Sequence, residues 1–444
     1  MISKRTLAHG FLMVAALLVT GAKAPAPAPA SGDLRAGASK IRITPPREEM
    51  VAPFDRVNDD VFIRALVLES GGKRGVIVIV DAPMYHKDVG DDIRAKIAST
   101  ARVRPENILF SMSHTHNIMR LDHNKGGIIL PGSSRFVEQV TNAAQDAVKQ
   151  AIASLQPAHM GSGQGEAHLI GPKSSWSPEL QRYIEKIDRS GKETVNERLG
   201  LIKFESPDGR PIAFLMNYGI NPVIAMAMKG EVSGDVPGAA ARYVEERAGG
   251  DAVALFTVGA SGNPLYRAEP DPIYKTADPR ALIQAMGTIL GEEAIAVARQ
   301  TPARLRSIPI GGATSQLICP GKMTAPLNLK DRCAHTPDSP LPACNFQDTD
   351  TDPVAAQLGV LKIGPIALVQ ADANISSGVG RKLLAASPLS DTWAVSLNYG
   401  PMHYIVEDSE YPLNTYEATA TTAKAGCAES GFLSHALDMI DGLE

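Results

Sequence analysis

The sequence predicts an α/β fold, a mixed central β-sheet flanked by helices, and three observations predict it. Short apolar runs alternate along the chain with longer stretches of 3.6-residue periodicity. The polar and Gly-containing clusters come directly after those runs, where strands empty into loops. Apolar residues make up 44% of 444, enough to bury a substantial core.

Residues 1 to 30 read as an export signal and the start of an Ala/Pro spacer. Lys4 and Arg5 precede the apolar stretch from Phe11 to Val19, and Ala28-Pro29-Ala30 before Ser31 is the expected cleavage site. No cysteine follows that stretch, which argues against a lipid anchor, and the expected location is the periplasm or the medium. Residues 31 to 444 are expected to form one hydrolase-like domain. No later segment reads as long and apolar enough to cross a bilayer. The balance of 44 basic to 48 acidic side chains, with 5% aromatics, gives no phosphate-tracking surface and hence no nucleic-acid partner.

Structure is expected from Leu34. Strands are predicted at Phe62 to Leu68, Val76 to Val80 and Ile108 to Ser111, with a helix around Asp91 to Ser99. A long amphipathic helix carrying Phe136, Val140, Ala144, Val148 and Leu155 should follow a Ser134 cap. Further strands are predicted at Leu201 to Phe204, Ile212 to Met216, Ala252 to Val258, Leu358 to Ile363, Ile366 to Gln370 and Trp393 to Leu397. Helices are predicted at Pro237 to Arg247, Pro279 to Arg299, Ser377 to Ala386 and Cys427 to Ile440. The Pro-, Asp- and Thr-rich segment 319–353 reads as a surface excursion held by disulfides. The four cysteines, Cys319, Cys333, Cys344 and Cys427, allow three pairings, and their spacing lacks the close pairs of a structural zinc site. No internal repeat is visible.

Five clusters carry candidate chemistry. In Ser113-His114-Thr115-His116-Asn117 the two imidazoles are two residues apart and face one side of an extended chain. Two readings are open: a site, or a strand end whose rings bond backbone carbonyls. Asn217 to Pro222 ends a predicted strand, and Val232-Ser233-Gly234-Asp235-Val236-Pro237-Gly238 opens a helix, with Asp235 as its cap and Pro237 in its first turn. Gly259-Ala260-Ser261-Gly262-Asn263-Pro264 exposes backbone N–H groups to a ligand but lacks the context of a nucleophile elbow. Gln370-Ala371-Asp372-Ala373-Asn374 and the segment from Asn398 through His403, Tyr404 and Tyr411 to Tyr416-Glu417 complete the set.

In this order the clusters resemble the catalytic domain of the neutral, non-lysosomal ceramidases, zinc amidohydrolases that split ceramide. Ile41-Arg42-Ile43-Thr44-Pro45-Pro46 is similar to the family's opening, Ser113-His114-Thr115-His116 to its Thr-His-Thr-His, and Ser233-Gly234-Asp235 to its helix start. Ile363-Gly364-Pro365 and Tyr416-Glu417 are similar to its last third. The resemblance implies a small-molecule or lipid amide as substrate and zinc as cofactor. It also implies an absent C-terminal immunoglobulin-like domain.

The family's zinc ligands fall on His114, Asn221, Asn374 and Tyr404, so a histidine and the glutamate are replaced by amides. The resemblance makes His114 and Tyr404 metal ligands and His116, Tyr416 and Asp235 catalytic. Asn221, Asn374 and Ser261 then contact substrate. No serine aligns with the family's nucleophile-like serine. Asp81, Asp235, Asp372 and His403 are candidate replacement ligands. Two functions follow: an exported hydrolase of an amide or related acyl bond, or a non-catalytic binding protein on the same scaffold.

Overall fold

The computed structural model describes residues 32–123, 131–172, 174–177, 182–185, 187, 195–266, 278–323, 333–334, 343–344, 350–397, 400–413 and 415–443. The expected signal and spacer, and the motif residues Asn398 and Tyr399, lie outside them.

The chain runs through one succession of elements three times. Unit 1 comprises β1 (Arg35–Arg42), β2 (Phe62–Ser70), β3 (Lys73–Val80), α1 (Lys87–Ala101), β4 (Ile108–Met112) and α2 (Ser134–Ala153). Unit 2 comprises β5 (His159–Glu166), β6 (Arg198–Glu205), β7 (Pro211–Tyr218), α3 (Asp235–Ala248), β8 (Val253–Val258) and α4 (Pro279–Gln300). Unit 3 comprises β9 (Ile310–Lys322), β10 (Asp350–Ile363), β11 (Ile366–Ala371), the short β12 (Asn374–Ile375), α5 (Ser377–Ala386), β13 (Asp391–Ser396), the short β14 (Tyr404–Ile405), α6 (Tyr416–Ala420) and α7 (Ala428–Asp441).

The three main sheets have corresponding orders: β4-β3-β2-β1, extended at its β1 edge by Gln156–Pro157, then β8-β7-β6-β5, and β13-β11-β10-β9. In each, the first three strands in chain order pair antiparallel, and a helical crossover then adds a parallel strand: β3 to β4, β7 to β8, β11 to β13. The α/β class is as predicted, with the strands divided among three mixed sheets. The repeat is invisible in sequence because what recurs is strand order and direction, which many apolar residue choices satisfy.

The inner strands of each sheet are largely buried on both faces and are apolar on both, while the edge strands β1, β5 and β9 alternate with exposed positions. In β2, Ile63, Ala65 and Val67 face α1 and α2, while Leu66 and Leu68 face a core shared by all three sheets. That shared core holds Ile77 and Leu109 of sheet 1, Phe204 and Leu255 of sheet 2, and Leu368 and Trp393 of sheet 3. The outer layers are α3 and α4 on sheet 2 and α5 and α7 on sheet 3.

Several boundaries differ from expectation. The α2 cap is Ser133, which accepts the Phe136 N–H at 3.3 Å. β1, β5 and β9 are strands despite Ala- and Gly-rich sequences; a Cβ on Gly37 would lie 2.1 Å from the Ala151 carbonyl oxygen and one on Gly312 1.8 Å from that of Glu106. The base of the 319–353 excursion is ladder, with Cys319 opposite Val354 and Lys322 opposite Asp350. Cys319 is bonded to Cys427 at the start of α7, and Cys333 lies opposite Cys344 on a two-residue ladder. Contrary to expectation, α4 is long and apolar enough by composition to cross a membrane; its apolar side, with Met286 and Leu290, is packed in the core cluster of sheet 2 and α3.

Candidate functional site

Every candidate residue except Asp235 and Tyr416 follows the C-terminal end of a parallel-paired strand, and a common backbone bond orients the three strand ends. Ser113 N–H donates to Val80 O, Gly259 N–H to Tyr218 O, and Leu397 N–H to Ala371 O, at 2.8, 2.9 and 2.9 Å. Counting three residues past the last ladder pair of each unit reaches Pro83 and Thr115 in unit 1, Asn221 and Ser261 in unit 2, and Asn374 in unit 3. The two amides thus hold equivalent places.

The units meet at these ends. Thr115 Oγ1 donates to Ser233 O at 2.6 Å and Ser233 N–H to Asn117 O at 2.9 Å, joining units 1 and 2. Gly262 N–H donates to Ile375 O and Ser377 N–H to Asn263 Oδ1, both at 2.8 Å, joining units 2 and 3. Gln370 Nε2 donates to Phe110 O at 2.8 Å, joining units 3 and 1.

His114 closes the turn after β4 in the left-handed region, φ 63°, costly for a side chain of this size. Its Nδ1 lies 2.8 Å from Pro83 O, and its Nε2 lies 3.3 Å from His116 Nε2, the rings near-perpendicular with centroids 4.6 Å apart. Burial lowers the His114 pKa to about 4; burial and then the neighbouring His114 hold His116 well below the usual histidine value. Both rings are therefore neutral at ordinary pH. Pro83, which holds His114, escaped sequence reasoning because its contribution is a backbone carbonyl.

Four buried polar atoms here have no hydrogen-bonding partner among the described residues: Ser113 Oγ, His116 Nδ1, Asn221 Oδ1 and Ser261 Oγ. Such atoms are costly unless a ligand or water meets them.

Asn374 stands opposite Tyr404 in the β12–β14 ladder, and its N–H donates to His403 O at 2.8 Å. Thr421 Oγ1 ties down this segment through Tyr404 O at 2.8 Å. Tyr416 opens α6, whose cap Thr415 accepts the Ala418 N–H at 3.2 Å. Sequence-distant Asn374 and Tyr404 are thus brought together, as are His114 and His116.

Asp235 is not the α3 cap: the helix starts on it, with Gly234 at the cap position and Pro237 two residues further in. With φ 51° it turns its carboxylate onto the N–H groups of Ala225, at 2.8 Å, and Val236, at 2.7 Å. Burial raises its pKa to about 6. It fastens the loop that follows Asn221 to α3.

The donor set at the four matched positions is one imidazole, two neutral amides and a phenol. Zinc takes imidazole, thiolate and carboxylate, and amide oxygens suit harder ions. The other carboxylates are engaged: Asp81 accepts from Arg64 at 3.1 Å and from Phe62 N–H, and Asp372 from Gln357 N–H at 2.8 Å. Among the described residues no three His, Cys, Asp or Glu side chains form a metal-holding group. The residues present do not fit the zinc site of the resembled family.

No family model and no curated protein matches the sequence. Solved structures match in fold. Neutral ceramidase from Pseudomonas aeruginosa superimposes with a TM-score of 0.70 at 16% identity, over 92% of this chain and 74% of that one. A ceramidase complexed with C2 gives 0.71 at 16% identity, over 92% and 75%. The chain has a ceramidase-like fold.

Proposed function

We propose that the chain is an exported hydrolase of the ceramidase-like fold that cleaves an amide or related acyl bond in a small-molecule or lipid substrate. The observation that carries this reading is the neutral histidine pair ending in an unpartnered His116 Nδ1, on strand ends whose Asn221 Oδ1 and Ser261 Oγ are also unpartnered among the described residues. A neutral imidazole can accept a proton at neutral pH. Asn221, Asn374 and Ser261 orient the acyl group, and Tyr404 supplies a phenol for a developing oxyanion. The periplasm or the medium is the proposed location.

The amides at two matched positions and the missing serine favour a second reading, a binding protein on the same scaffold. Incubating the mature protein with N-acyl amides, short-chain ceramides and acyl esters, and detecting released acid by mass spectrometry, separates the two. Release that disappears in His116→Ala supports the hydrolase. Saturable binding of an acyl compound without release supports the binding protein.

A further inference from the structure

The hydrogen positions around the pair follow from acceptor chemistry. A carbonyl can only accept, so the His114 Nδ1 that lies 2.8 Å from Pro83 O carries the hydrogen. A neutral imidazole has one N–H, which leaves the lone pair of His114 on Nε2. Its neighbour at 3.3 Å, His116 Nε2, must then supply the hydrogen of that contact. The lone pair of His116 is therefore on Nδ1, the buried atom that has no hydrogen-bonding partner among the described residues.

We propose that the pair is a metal-free relay: His116 Nδ1 is the proton acceptor presented to the ligand, and His114, anchored by the Pro83 carbonyl, is its positioning residue. A metal at His114 would need the same Nε2 lone pair that accepts from His116. The replaced positions Asn221 and Asn374 bring no negative charge, and the Asp81 and Asp235 carboxylates are held by Arg64 and by backbone N–H groups. The histidine–histidine contact occupies the chemical place that a first zinc ligand has in the resembled family.

The task of the acceptor rests on the hydrolase reading. A water gives a proton to Nδ1 as its oxygen bonds to the acyl carbon. The carbon–nitrogen or carbon–oxygen bond breaks, and that proton passes to the leaving atom, giving an acid and an amine or alcohol with no co-reactant.

Ring-15N histidine spectra of EDTA-treated protein at pH 7.5, assigned with His114→Gln and His116→Gln, test the order of hydrogens. The expected result is opposite tautomers, Nδ1–H on His114 and Nε2–H on His116. The same tautomer on both rings, or Nε2–H on His114, overturns the proposal. Cobalt(II) titration of the EDTA-stripped, unsubstituted protein tests the metal: no visible tetrahedral band is expected at one equivalent, and a stoichiometric band lost in His114→Gln overturns it. Correct tautomers in a protein that hydrolyses no acyl compound would sink the hydrolase reading and leave this arrangement standing.

Discussion

At the scale of single residues, Asn221 and Asn374 separate this site from a zinc centre. The double substitution Asn221→His with Asn374→Glu restores an imidazole and a carboxylate at the two matched positions, the second of them opposite Tyr404. It is expected to raise zinc affinity at least about 100-fold, read by calorimetry, because ligand type dominates such sites. Asp235 carries a pH prediction. Its folded pKa of about 6 exceeds its ordinary value, so between roughly pH 4 and 6 the folded state holds a proton that the unfolded state has lost, and stability falls as pH rises. His114, lowered to about 4, acts with the opposite sign over an overlapping window. Removing the first slope with Asp235→Asn should increase the gain in unfolding free energy from pH 4.5 to 7 by about 2 kcal/mol, measured by urea denaturation at both pH values.

At the scale of elements, the sequence was legible wherever periodicity was strong. The helix over Ser377 to Ala386 and the strands leading into His114, Asn221, Ser261 and Asn374 are where apolar runs place them. β1, β5 and β9 lack apolar alternation because neighbouring groups leave no room for a side chain at several of their positions; a Cβ on Gly163 would lie 2.3 Å from Thr301 Oγ1 and one on Gly165 2.0 Å from Glu293 Oε1. The closeness of His114 and His116 was legible from their spacing, whereas the Asn374–Tyr404 pairing depends on a ladder between residues 30 apart and has no local signature. The Cys319–Cys427 bond closes a sequence separation of 108 across β9 and α7, and sequence could not choose it among three pairings. Replacing both cysteines with serine should cost up to about 5 kcal/mol, the loop-entropy expectation for so long a closure, seen as a lowered thermal midpoint that dithiothreitol reproduces in the parent protein.

At the scale of the whole molecule, units 1 and 2 are fastened by a buried ionic cluster. Arg64 of β2 contacts Asp81 at 3.1 Å and Glu245 of α3 at 2.9 Å, all three nearly out of solvent. Despite its burial, attraction to Arg64 keeps the Glu245 carboxyl below the usual range. Arg64→Met would strand Asp81 without its cation and leave Glu245 with Lys40 alone, 2.8 Å away at the surface. A loss of about 3–5 kcal/mol is expected by chemical denaturation, with recovery in part when Asp81→Asn and Glu245→Gln are added.

The shared core also decides how the chain can be cut. A unit taken alone would turn Leu66, Leu368 or their counterparts to water, so three separate fragments should stay unfolded until mixed. The order in which the peptide thread visits the units is a weaker constraint. Asp33 and Leu443 line one groove, so the described ends of the chain are neighbours. A circular permutant that joins them and opens between the second and third units should keep the native assembly.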